Sequence, residues 1–201
     1  MSLHARMSWH RRLPWRGDLR CLRLWLLDRG SLTARLQCLG AFSVHLLTQK
    51  LAIPTSDECA VLGLSRGRLA WVREVVLSVD SVPAVFAHTA LPVAPRGPLT
   101  RWLARLGSRS LGSMLFAHPG FRRGHITCHA LDERHELHRR AINALELYST
   151  PHAVLWARRS CFGHGRQTIL VTEIFSPSFS KTRSPAVTKT PQRQSPPTTL
   201  T

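Results

Sequence analysis

Apolar positions recur along the chain with two periods, and the changes of period mark out its elements. Between residues 18 and 39, Leu22, Trp25, Leu26, Leu32, Leu36 and Leu39 fall near multiples of 3.6, the helical spacing. Asp28-Arg29-Gly30-Ser31 interrupts them, which predicts two short helices with Ser31 capping the second. A period of two takes over at Ala41–Leu51 and is clearest at Leu69–Val79. Asp80-Ser81 then turns the chain into Val82–Leu91, and two runs joined so closely predict an antiparallel hairpin. A second hairpin is expected from Leu155–Phe162 and Gln167–Phe175 across Gly163-His164-Gly165-Arg166. Val61–Leu64 is expected to be a connecting segment, and Pro92, Pro95, Gly97 and Pro98 end the sheet pattern. Leu99, Trp102, Leu103 and Leu106 predict an amphipathic helix stopped by Gly107, followed by a loop and short helical turn over Ser110–Phe116. Residues 125–131 predict another strand, and Asp132 a cap for a polar helix to about Leu147. The predicted class is α+β, an antiparallel sheet with helices packed on one face; there is no alternating strand–helix order and no internal repeat.

Two of these strands carry a charge on their apolar face. Trp71, Arg73, Val75, Leu77 and Val79 alternate on one side and are apolar except at Arg73; Ile169, Val171, Glu173 and Phe175 are apolar except at Glu173. Side chains alternate faces along a strand, so both charges point with their hydrophobic neighbours. An unpaired buried ion costs on the order of several kcal/mol, so each requires a counter-charge, a polar network or a ligand. Either the two form a buried salt bridge, or Arg73 clamps a ligand carboxylate with its fork while Glu173 meets a hydroxyl of that ligand. Glu74, on the opposite side beside Val72 and Val76, is expected to be exposed or paired at the surface.

Composition narrows the picture. The 201 residues, 43% of them hydrophobic, make one domain with a real core. A basic N-terminal segment, 1–17, and a Ser/Thr/Pro-rich basic tail, 178–201, flank a domain at 18–177; the tail has almost nothing to bury and is expected to be disordered. No run approaches the roughly 20 apolar residues of a membrane span, so no stable membrane insertion is expected. Leu24–Leu27 is too short for a signal-peptide core, and the helical pattern continuing to Leu36 argues against a transit peptide. The five cysteines at 21, 38, 59, 128 and 161 are odd in number and lack close pairs, which argues for a reducing cytoplasm and against a disulfide framework. The formal charge of +17 attracts anions without separating nucleic acid from a small di-acid, and a solvated Arg-rich surface explains it equally well.

Other chemistry finds little support. His125, Cys128, His129, His135 and His138 cluster in sequence but lack a metal-ligand spacing; they are expected as surface histidines, and no metal site is predicted. A nucleophile elbow and a signature Cys–His pair are both missing, and Gly63 and Gly67 flank Leu64-Ser65-Arg66 without the spacing of a phosphate loop.

Five motifs in a fixed order carry a resemblance. Trp71-Val72-Arg73-Glu74-Val75, Thr89-Ala90-Leu91-Pro92 preceded by Pro83, Leu111-Gly112-Ser113-Met114-Leu115-Phe116, Trp156-Ala157-Arg158-Arg159-Ser160, and Leu170-Val171-Thr172-Glu173-Ile174-Phe175 with Pro177 resemble bacterial chorismate pyruvate-lyase, over about Leu24 to Pro177. The resemblance implies a single-domain α+β protein with a six-stranded antiparallel sheet and an enclosed ligand cavity. It further implies elimination of pyruvate from chorismate to give 4-hydroxybenzoate for ubiquinone biosynthesis, by a cytoplasmic monomer without metal or organic cofactor. Carried over by motif, Arg73 binds the ring carboxylate, the backbone at Leu111 completes that site, and Glu173 hydrogen-bonds the ring hydroxyl. Arg73 and Glu173 are then the catalytic pair. Leu32 contacts the ligand from a position where the family often has Met. Two departures stand out: His88 occupies a position where many relatives carry Arg, and residues 124–151 form a longer segment than in the shortest members.

Two other classes compete. A non-catalytic small-molecule sensor domain would share the fold, but such regulators carry a helix-turn-helix domain ahead of it, and little room precedes residue 40. A nucleic-acid binder would use the Arg-rich N-terminus with Trp9, Trp15 and Trp25, yet no recognisable motif accompanies them and no nucleic-acid partner is expected.

Overall fold

The period-two runs build the centre of an antiparallel sheet. The structure, a computed structural model, describes residues 9–14, 19–118 and 120–177. The expected disordered tail, Trp15 and the other flanking positions lie outside the described residues. Strands β1 (Phe42–Ala52), β2 (Ala70–Val79), β3 (Val82–Pro92), β4 (Arg122–Arg123), β5 (Thr127–Leu131), β6 (Leu155–His164) and β7 (Gln167–Phe175) pair in the order β1-β2-β3-β7-β6-β4, with β5 also on β6. Both long hairpins fall where period and turn residues place them. Asp80 and Ser81 take φ of 50° and 64°, the left-handed conformation of a two-residue turn that matches strand twist. The described residues form seven strands rather than six; the addition includes β4, which is two residues long and has no periodicity to announce it.

Six helices are described: α1 (Arg20–Leu26), α2 (Leu32–Gln37), α3 (Ser56–Leu62), α4 (Pro98–Arg105), α5 (Leu111–Ala117) and α6 (Glu136–Ala144). Ser31 caps α2 as expected, accepting from the Ala34 N–H at 3.3 Å. The connecting segment expected at Val61–Leu64 is instead the end of α3. The Glu58 carboxylate accepts from the Thr55 N–H at 3.1 Å, and Gly63 closes the helix at φ 64°. His135, not Asp132, caps α6: its Nδ1 accepts from the Leu137 N–H at 3.1 Å.

The helices cover both faces of the sheet, not one. On the near face, Trp25, Leu26 and Leu36 pack against Leu77, Val85 and Phe175, and Leu99, Leu103 and Leu115 pack against Leu91, Phe162 and Ile169. On the far face, Phe86, Ala157 and Ile174 meet Leu137, Ala141 and Ile142 of α6. Val85 and Phe86 are adjacent in β3 and both fully buried, so the middle of the sheet has no solvent side. Each such side chain contributes about 1.5–3 kcal/mol by burial.

The far face also corrects the expectation that two histidines lie at the surface. His135 and His138 are buried rather than superficial, and His138 Nε2 lies 2.8 Å from the Ala153 carbonyl. Glu74 is largely buried; it pairs with the half-exposed Arg140 at 2.9 Å, as one of its two expected placements has it, and also lies 3.0 Å from Nδ1 of the buried His88. Part of the N-terminal segment joins the body: His10 pairs with Cys128, Leu13 is buried, and Trp9 Nε1 donates to Asp57 at 2.8 Å. Trp25 is fully buried, which removes it from any nucleic-acid surface. No described helix is long and apolar enough to cross a membrane.

Candidate active site

Sheet register brings the two anomalous charges to one cavity. Arg73 of β2 stands opposite Thr89 of β3, and Ala87, two residues before Thr89, stands opposite Glu173 of β7. Arg73 and Glu173 are thus two strands and one pleat repeat apart, about 12 Å between Cα atoms. Both face α2 and α5 across a cavity of about 40 Å³. Arg73, Val75, Ala87, Thr89, Val171 and Glu173 form its floor, with Leu32 and Thr33 of α2 and Leu111, Gly112 and Leu115 of α5 above. All four expected site residues, Leu32, Arg73, Leu111 and Glu173, therefore line the same space.

The cover is tightly fitted. Thr33 Oγ1 and Ser110 Oγ are 2.5 Å apart, and a Cβ at Gly112 would lie 2.9 Å from Thr33 Oγ1. Glycine is what lets α5 approach α2 this closely.

Arg73 and Glu173 are not each other's partners. Nη1 of Arg73 donates to Gln49 Oε1 at 2.6 Å and Nη2 to the Arg109 carbonyl at 3.1 Å; Gln49 is itself tied to the Leu103 carbonyl at 3.0 Å. These contacts are neutral, and burial lowers the pKa of the guanidinium. Arg73 is 2% exposed yet meets no carboxylate among the described residues. Glu173 is instead held by Arg158, whose Nε donates to Oε2 at 2.5 Å.

Arg158 is the residue that sequence reasoning missed. It is 1% exposed and lies directly opposite Glu173 in the β6–β7 hairpin. Nη1 donates to the carbonyls of Trp25 at 2.6 Å and Asp28 at 2.8 Å, bolting the C-terminal end of α1 to the sheet. A signal was present: a two-residue turn at Gly165-Arg166 pairs His164 with Gln167, and counting back along both strands puts Arg158 opposite Glu173. Arg123 also reaches the cavity, from β4.

His88, the other departure, stays away from this space. It lies on the far face with Nε2 3.2 Å from Glu58 and Nδ1 3.0 Å from Glu74. Burial opposes its charged form, but the two carboxylates overcome that and raise its pKa to about 9. Among the described residues, no three His, Cys, Asp or Glu side chains are grouped to hold a metal ion.

The described residues thus define an antiparallel α+β domain with a cavity between its sheet and two short helices, lined by Arg73, Arg123 and Glu173. The same fold occurs in the effector domain of PhnF from Mycobacterium smegmatis, with a TM-score of 0.51 at 17% identity over 74% of this chain and 90% of that one. Sequence narrows the class much further. Residues 6–184 match the family model described as chorismate lyase. A protein named probable chorismate pyruvate-lyase from Dechloromonas aromatica is 51% identical over 79% of this chain and 88% of its own length. Proteins of the same name from Aromatoleum aromaticum (48% identical, 79% of this chain and 85% of its own) and Ralstonia nicotianae (42%, 88% and 94%) are also similar. This chain belongs to the chorismate lyase family.

Proposed function

We propose that this chain is a chorismate pyruvate-lyase, converting chorismate to 4-hydroxybenzoate and pyruvate and supplying ubiquinone biosynthesis. The observation that carries this reading is a buried guanidinium, Arg73, facing the same cavity as Glu173 with no carboxylate among the described residues to neutralise it, in a chain of this family. Arg73 takes the ring carboxylate in its fork, and the backbone N–H at Leu111, in the first turn of α5 and without an intrahelical acceptor, completes that site. Glu173, fixed by Arg158, accepts the hydrogen bond of the ring hydroxyl, and Leu32 packs on the ring from above.

The chemistry asks little more. The ring loses a proton from the carbon bearing the hydroxyl, and that C–H pair becomes the last double bond of the aromatic ring. The neighbouring C–O bond breaks with its pair on oxygen, and the released enolpyruvate takes a proton on its methylene carbon to become pyruvate. Aromatisation drives the elimination, so the protein contributes orientation, charge complementarity and exclusion of water.

We take the catalytic domain as residues 18–177 and the working form as a cytoplasmic monomer. A sensor role would rest on the fold likeness alone and is not favoured. The test is to incubate purified protein with chorismate, follow 4-hydroxybenzoate by its absorbance and measure pyruvate enzymatically. Equal amounts of both products are expected, and formation of neither would refute the reading.

A further inference from the structure

The cavity holds a second uncompensated guanidinium. We propose that Arg123 receives the second carboxylate of the substrate, the one on the departing enolpyruvyl group, and so distinguishes the dianionic substrate from the monoanionic product. The proposal rests on the lyase reading and adds a residue to it.

Arg123 is held as a binding group is held. Its strand pairs with Phe162 of β6, Nε donates to Ser160 Oγ at 2.9 Å, and Nη1 donates to the carbonyls of Arg29 at 3.0 Å and Gly30 at 3.2 Å. Its guanidinium carbon lies 5.5 Å and 5.3 Å from the ring centroids of Phe116 and Phe162, which fixes the plane of the fork. Nη2 has no hydrogen-bond partner among the described residues, and no described carboxylate pairs with the group. Burial and the nearby Arg158 lower its pKa to about 10 against the weaker pull of Glu173 and Asp28, which leaves it cationic at neutral pH.

Its position matches the substrate. Ser160, its partner, lies in the cross-strand row Arg73–Thr89–Val171–Ser160, three strands from Arg73, or about 14 Å. Glu173 is on the intervening strand next to Arg158, so Arg123 stands at the Glu173 end of the cavity. In chorismate the enolpyruvyl ether sits on the ring carbon next to the one carrying the hydroxyl. A ring with its carboxylate at Arg73 and its hydroxyl at Glu173 directs the second carboxylate toward Arg123. The charges agree as well: Arg158 and Glu173 cancel, leaving Arg73 and Arg123 to meet a dianion. After elimination, the product neutralises only Arg73.

Three ligands separate this role from a merely structural one: 4-hydroxybenzoate, 3-methoxy-4-hydroxybenzoate, and 3-carboxymethoxy-4-hydroxybenzoate, which adds a second carboxylate at the substituted position. Arg123→Gln is expected to weaken the dicarboxylate by about 10- to 100-fold and the two monocarboxylates by less than about threefold. It is also expected to lower kcat/KM for chorismate by a factor similar to the dicarboxylate loss. Arg123→Lys recovers part of both, and it supplies the same comparison if the Gln variant does not fold. Arg73→Gln weakens all three ligands alike. Equal weakening of all three ligands in the Arg123 variants, or no weakening of any, overturns the proposal. Wild-type protein that makes no product from chorismate refutes the lyase reading instead, and the ligand comparison still decides what Arg123 binds.

Discussion

The two faces of the sheet bury ionisable side chains in opposite ways. On the far face, three carboxylates meet three cations: His88 lies between Glu58 at 3.2 Å and Glu74 at 3.0 Å, Arg140 reaches Glu74 at 2.9 Å, and Arg159 reaches Asp57 at 2.6 Å. On the near face, Arg73 and Arg123 are satisfied only by neutral groups among the described residues, while Glu173 is paired with Arg158 and, nearer the surface, Asp28 with Arg35 at 2.7 Å. A matched network adds little net stability but is costly to break. An unmatched cation is costly as it stands, and the cost is recovered when an anion arrives. Burial alone therefore does not mark a site; burial without a counter-charge does.

The largest expected effect comes from breaking the matched side. His88→Ala leaves Glu58 buried beside an empty space and is expected to lower unfolding free energy by about 3–5 kcal/mol in urea titrations. A loss under about 1 kcal/mol would remove the contrast between the faces. On the unmatched side, Arg73→Met is expected to cost about 2–5 kcal/mol of ligand interaction while leaving stability unchanged or higher. A large fall in stability would show that Arg73 is a structural bolt.

The pH dependence of stability sharpens the same comparison. His88 has its pKa raised from 6.5 to about 9, so the stability it contributes is complete below about 6.5 and is lost as pH rises through 9. Glu58 and Glu74 have lowered values despite burial, because of His88, so their contribution is complete above about 4.5 and is lost as pH falls through those lower values. Melting temperature should be highest between these limits and decline from pH 6.5 to 9, and His88→Ala should flatten that decline. The smallest effect is expected from deleting residues 180–201, which should change neither turnover nor melting temperature; a marked loss of either would assign the tail a role.

The contrast between the faces was half legible in the sequence. Period-two alternation exposed Arg73 and Glu173 because each interrupts a run that is otherwise apolar, and it located both hairpins. Glu74 and His88 were singled out separately, but nothing in the sequence showed that they share one buried network with Glu58. Only the cover of α3 and α6 shows that both sides of the sheet are buried, and α3 was overlooked although Thr55 and Glu58 form its capping box. Arg158 and Arg159 entered only as part of a family motif, with no role assigned to either. Adjacent strand residues point to opposite faces, however, and the structure buries one on each. Arg123 had no signal at all, because a two-residue strand has no period. Its role depends on contacts with Ser160, Phe116 and Phe162 that are distant in sequence.

The most direct measurement is the rate of 4-hydroxybenzoate formation from chorismate by wild-type protein, Arg73→Ala and Glu173→Ala, each with its melting temperature recorded. The wild type should turn over chorismate, and both variants should stay folded while losing about 30-fold or more in kcat/KM. A wild type that forms no 4-hydroxybenzoate, or folded variants that keep full activity, would contradict the assignment of the unmatched face as the site of the reaction.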